Sequence, residues 1–317
     1  MYCPYLRGKQ FELLALRDFS SENPQNKKIM PIIEPVKIQV NGLKSALGSM
    51  CKNGMKFALI LNPQDGDFSN PSVSNDIIET IDSLKDNEEL SWVPAYIYRN
   101  DPQSLLSHAE KNGLDQLMIV FPSGADTNDA TLMDFLADKK VSYIVSGNLS
   151  SSRSTKSKLL RLGKSLISLE DRFNSQDKNA DYALHDDEFF SEDFAFYKDD
   201  RLAGFADYTT LPKDFTEGGM LPYAIAIHLT YTKSEDQIFV HHFVSENNRD
   251  QSNIQGKFHE AAIKIEPFVE QNAIPRTNSI SELIAKGSSE DGYPGLGYIK
   301  KLSIKNHLEL INSLIPE

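Results

Sequence analysis

The chain is short of cysteine, of long apolar runs and of basic charge, and each shortage excludes a class of protein. Only Cys3 and Cys51 occur, and neither belongs to a CxxC. A disulfide framework and a cysteine zinc site are therefore excluded, and a reducing cytoplasm fits best. No run approaches the roughly 18 apolar residues of a membrane-spanning helix. The start, MYCPYLRGKQ, lacks the basic, apolar and small-residue regions of a secretory signal, so no membrane association is expected. Acids outnumber bases by 45 to 33, a net charge of −12, which argues against a broad nucleic-acid surface. A small basic pocket stays open. No HExxH, GxxxxGK[ST] or GxGxxG motif occurs, which disfavours a zincin helix and both phosphate-cradling loops.

What is present is a globular composition over 317 residues and a repeating alternation. Apolar runs of strand length recur in KIMPIIEPVK, KFALILNP, SWVPAYIYRN, QLMIVFPSG, VSYIVSGN, KSLISLEDRF, AGFADYTT and YAIAIHLTY. Continuous apolar strands of this kind suit a parallel sheet buried on both faces. Helical patterns lie between them. DPQSLLSHAEKNG, for example, opens on Asp101 and Pro102 and stops at Gly113. Eight runs in order predict an α/β fold, a TIM-like (β/α)8 barrel, with an open doubly wound α/β sheet as the alternative because periodicity does not establish closure. One domain is expected across 1–317. It carries an acidic, aromatic insertion at 174–202 between strands 6 and 7, then a hairpin of YAIAIHLTY and QIFVHHFV, and a C-terminal loop and helix at 287–317.

The opening YCPYLRGKQFELLAL, the run IIEPVK, then GFADYTTLP, YAIAIHLTY and HHFVS together resemble the phage beta-protein family, in that order over roughly residues 1–270. The resemblance implies a protein of phage, prophage or mobile-element origin, with a role in anti-phage defence and a protein partner from the same cassette. It carries over no catalytic residue.

In a parallel barrel, function is built where the strands end. Those ends hold Glu34, Asn62, Arg99, Asn148, Asp171, Arg172, Asp207 with Tyr208, and His228. Such a ring suits a phosphorylated small molecule or a nucleotide. The two arginines would fork onto anionic oxygens. Glu34 and Asp207, with Asp171 and His228 beside them, would act as general acid and base of a hydrolase or lyase, or hold a divalent cation. The alternative for each residue is a structural polar cap, and for the whole chain a non-catalytic sensor or scaffold.

Three further features have two readings each. A hairpin pairing Lys233 with Asp236 sets His228 opposite His241, and a one-residue slip substitutes His242. The pair then forms a metal or proton-relay site, or a stacked and hydrogen-bonded one. SGNLSSSRSTKSKLLRLGK places Arg153 and four lysines or arginines around a helix start, either an anion site or a solvated basic face. Arg7 and Lys9 flank Gly8 as a basic clamp, or as part of a pinned N-terminal segment.

Overall fold

A computed structural model describes residues 1–70, 77–85, 91–217, 221–289 and 292–316. Eight parallel strands alternate with helices and form the barrel. They are β1 (Tyr5–Leu6), β2 (Ile32–Ile33), β3 (Phe57–Ile60), β4 (Trp92–Ile97), β5 (Leu117–Phe121), β6 (Val141–Gly147), β7 (Ser165–Leu169) and, after the insertion strand β8 (Asp187–Ser191), β9 (Gly204–Ala206). Neighbours pair in chain order from β1 to β7 and then to β9. Closure comes at Tyr2, which bridges Ile29 on one side and Phe205 on the other. Around it Cys3 N–H donates to Phe205 O at 2.9 Å and Tyr5 N–H to Asp207 O at 2.8 Å.

The helices α1 (Gln10–Glu22), α2 (Asn41–Lys52), α3 (Ile77–Lys85), α4 (Pro102–Lys111), α5 (Ala130–Ala137) and α6 (Arg153–Leu160) return the chain from one strand to the next. Asp101 caps α4 by accepting from Ser104 N–H, with Pro102 in the first turn, as the sequence predicts. Strands β3 and β5 are buried at every residue, which is why they read as unbroken apolar runs. Side chains alternate between two cores. Ile32, Ala58, Ala95, Val120, Ile167 and Ala206 fill the barrel interior, while Ile33, Leu59, Tyr96, Ile119 and Phe205 pack outward under the helices.

The eighth run of the sequence, YAIAIHLTY, is not a barrel strand. It forms β10 (Ala226–Ser234), which pairs antiparallel with β11 (Gln237–Val244), and β11 pairs with β8 in a separate three-stranded sheet. The missing barrel strand is the N-terminal segment, whose two-residue ladder is too short to show a period. Consequently the insertion, with its short helix α7 (Asp193–Phe196), falls between the seventh and eighth barrel strands.

The second sheet buries Ile227, Leu229, Tyr231 and Phe243 against α8 (Ile254–Ala262), α9 (Ile265–Gln271) and α10 (Asn278–Gly287). Its other face meets α11 (Leu296–Leu314). Within the loop expected ahead of α11, Glu290 and Asp291 lie outside the described residues. Because α11 is wedged between this sheet and the barrel, it is buried nearly all round. Two of its lysines pair with α1: Lys301 with Asp18 at 2.8 Å and Lys305 with Glu22 at 2.7 Å.

Candidate functional site

The in–out alternation decides which polar residues reach the barrel mouth. After Ile32 inside and Ile33 outside, Glu34 turns in and is 1% exposed. Tyr5 OH donates to its Oε2 at 2.6 Å, and Gln64 N–H to its Oε1 at 2.9 Å. Burial pushes the Glu34 carboxyl above its ordinary range, against the pull of those two donors and of Arg7. Arg7 stands beside it, with Nε 4.0 Å from Glu34 Oε2 and 3.4 Å from Asp65 Oδ2. The guanidinium lies 5.1 Å from the Tyr5 ring centre and 4.9 Å from that of Tyr208, close enough for cation–π attraction to both.

On β9, Ala206 points inward, so Asp207 points out and Tyr208 in. Tyr208 packs on Tyr5 at 5.4 Å, and its hydroxyl makes no hydrogen bond with another described residue. Burial pushes that phenol above its ordinary range, while Arg7 pulls the other way. Asp171 completes the inward set at the rim. Although its side chain reaches solvent, local desolvation raises its carboxyl, with Lys213 and Arg7 opposing and Asp214 reinforcing the shift.

Gly8 makes this cluster possible. Its φ is +60°, and a Cβ there would sit 3.1 Å from Glu34 O, so the chain turns from β1 into α1 directly over the end of β2. Arg7 N–H then donates to the buried Glu12 at 2.6 Å. The segment after β9 crosses above: Arg7 Nη2 donates to Lys213 O, and Lys9 Nζ to Thr216 O at 2.7 Å.

Asp207, expected as a wall of the mouth, faces the opposite way. It is 1% exposed between the barrel and α11, where Tyr2 OH donates to Oδ1 at 2.6 Å and Thr209 N–H to the same atom at 2.8 Å. His307 Nε2 stands 3.5 Å from Oδ2. Burial alone would raise this carboxyl, but His307 and the two donors outweigh it and hold it below its usual range. Glu34 and Asp207 thus share neither a substrate nor a cation. Among the described residues no cluster of three or more His, Cys, Asp and Glu is arranged to hold a metal ion.

The remaining expected residues scatter. Asn62 joins β3 to β4 at the mouth, its amide donating to Ile97 O and accepting from Ile97 N–H, both at 2.8 Å. Arg99 is exposed at the rim and donates to Asn62 O at 2.6 Å. Asn148 takes a left-handed turn, φ 57°, and reaches Ser123 O. Arg172 turns away to grip Asp193 of the insertion through two bonds of 2.9 and 2.7 Å. Arg153 is exposed on α6, whose other cations are largely engaged: Lys156 with Asp200 and Lys158 with Asn128 at 2.8 Å.

His228 belongs to the second sheet and not to the mouth. Ser234 pairs with Gln237 and a bulge follows, so the register slips by one and His228 faces His242, with Nδ1 atoms 2.7 Å apart. Phe173 and Tyr182 enclose the pair. Burial pushes His228 well below its ordinary value and His242 below its own, the latter against Glu188 at 3.3 Å. His241 lies on the other face, stacked on Phe268 at 3.9 Å and 3.5 Å from Asp187.

Arg7, read from R-G-K as one arm of a basic clamp or as part of a pinned N-terminal segment, overhangs the mouth beside Glu34. One group escaped the sequence reading. His307 hides in the apolar stripe of α11, whose total burial the sequence pattern does not announce. No protein-family model matches the chain, and no curated protein matches it.

Proposed function

We propose that the mouth of this barrel is a hydrolase- or lyase-type centre for a small phosphate-bearing ligand, a phosphorylated metabolite or a nucleotide. The observation that carries this reading is Glu34: a buried carboxyl, raised above its ordinary range by that burial, held by Tyr5 and the Gln64 N–H beside the Arg7 guanidinium. A carboxyl tuned upward at the C-terminal end of a barrel is suited to proton transfer. Arg7 supplies a planar fork for phosphate oxygens. Asp171 is the second carboxylate on the same side, taking the role expected of Asp207. The free hydroxyl of Tyr208 orients the ligand between them.

We place this activity in the cytoplasm, in conflict between phages and mobile elements, on the strength of the resemblance to the phage beta-protein family. Challenge of cells carrying the native cassette tests it. Glu34→Gln and Arg7→Met are expected to lose protection while the melting temperatures of the purified proteins stay near the parent value. Protection kept by both variants rules the mouth out.

One observation favours a second reading, a sensor or scaffold for a cassette protein. The insertion and its neighbouring strand expose Leu184, Phe189 and Phe196, and the strap at 213–216 covers Arg7. Recovery of the same phage or cassette protein by the parent, and not by a Phe189→Ser, Phe196→Ser variant, supports that reading; equal recovery by both refutes it.

A further inference from the structure

Beside the mouth, a cleft of about 370 Å³ opens between the segment after β9, the turn at Asn179–Leu184, the start of β10 and the first turns of α11. Its volume is that of a small-molecule site. In a chain with 45 acidic residues, none of the side chains lining it is a carboxylate. Lys300 stands at its edge. The neighbouring Lys301 and Lys305 are each paired, whereas Lys300 makes no close ion pair among the described residues and feels Glu12 only through its longer-range charge. One turn on, Ser303 is 3% exposed and lines the same cleft, and its hydroxyl makes no hydrogen bond with a described residue. The Thr210 hydroxyl, also on the wall, is buried without a partner. A buried hydroxyl such as that of Thr210 is costly without a partner unless something else bonds it.

The rest of the lining is suited to a flat ring. Phe173 and Tyr182 form an aromatic wall braced edge-on by His228, with centroids 5.0 and 4.6 Å from the imidazole. The amide nitrogens of Gln176 and Asn179 are committed to Asn174 O and Ala224 O, which leaves both side-chain carbonyl oxygens as acceptors. Two acceptors beside an aromatic wall match the exocyclic N–H groups of a nitrogen heterocycle.

We propose that this cleft binds a ligand of the nucleoside monophosphate class, with its ring against Phe173 and Tyr182 and its phosphate on Lys300 and Ser303. The proposal asks nothing of Glu34 and holds whether or not the mouth turns a substrate over.

Isothermal titration of the full chain with AMP, adenosine and inorganic phosphate tests it. AMP is expected to bind one-to-one and more tightly than either half. Lys300→Met is expected to weaken AMP about tenfold, the effect of losing one bond to a charged group, and to leave adenosine unchanged. Gln176→Leu is expected to weaken AMP and adenosine alike. Lys300 is exposed and Gln176 half-exposed, so both variants should melt as the parent does. Lys111→Met, at the exposed end of α4 and in neither the cleft nor the mouth, is expected to bind AMP as the parent does; loss of binding there would overturn the assignment. Phosphate binding as tightly as AMP would reduce the cleft to a bare anion site. AMP binding indifferent to both cleft variants, or absent at millimolar concentration, would equally overturn it.

Discussion

Replacing Asp207 is predicted to damage stability and not the mouth. The carboxylate is fully enclosed and accepts from Tyr2 OH and Thr209 N–H, with His307 3.5 Å away. Asp207→Ala strands the phenol, the amide and the ring together. Leaving buried donors without their acceptor costs about 1–3 kcal/mol for each, so about 3–5 kcal/mol together. Asp207→Asn keeps one acceptor oxygen and loses the charge, so its cost is about 1.5–3 kcal/mol, the range for a bond to a charged group. At about 2 °C per kcal/mol for a chain of this size, the alanine variant should melt about 6–10 °C below the parent and the asparagine variant about 3–6 °C below. The acid side adds a second signature. Because the folded carboxyl lies below its ordinary value, its contribution is complete above about pH 3.9 and disappears as pH falls through the folded value. Asp207→Asn should therefore flatten the acid limb of stability against pH. Urea unfolding followed by circular dichroism between pH 2.5 and 7 measures both. Unchanged midpoints at neutral pH together with an unchanged acid limb would refute the reasoning and return Asp207 to the list of working residues.

Glu34 should behave with the opposite sign. Its folded carboxyl is raised, so stability falls as pH rises from about 4.3 through the folded value. Glu34→Gln should remove that fall, and parallel melts across pH 4–8 check it. The buried histidine pair should produce a rise in stability with pH, since His228 and His242 are held neutral. Their contribution is complete above about pH 6.5 and is lost on acidification, and His228→Gln should shrink that slope. A parent whose stability is level between pH 5 and 7 would contradict this. Arg172→Ala, by cutting the two bonds to Asp193, should cost about 1 kcal/mol and expose the insertion to limited proteolysis ahead of the barrel. Simultaneous cleavage of both would count against an anchoring role.

The barrel was legible because seven of its strands are buried on both faces and so appear as apolar runs. The eighth was not, because Tyr5–Leu6 is short and closes the sheet through long-range bridges to Phe205. YAIAIHLTY filled the vacancy in the count, since a strand sandwiched between α11 and α8–α10 is as apolar as a barrel strand. Glu34 was found at the mouth from its strand-end position alone. Asp207 was misassigned because one residue of register separates inside from outside, and that register is set by pairing with the N-terminal strand. The same one-residue sensitivity exchanged His241 for His242 opposite His228, through a bulge that a turn sequence does not specify.

The most direct measurement is turnover of a panel of phosphorylated metabolites and nucleotides, followed by mass spectrometry, for the parent, Glu34→Gln and Asp207→Asn. Substrate consumption by the parent should vanish in Glu34→Gln at an unchanged melting temperature, and persist in Asp207→Asn below its lowered one. Full turnover by Glu34→Gln, or its loss in an Asp207→Asn protein that melts like the parent, would contradict a working site built on Glu34 and Arg7.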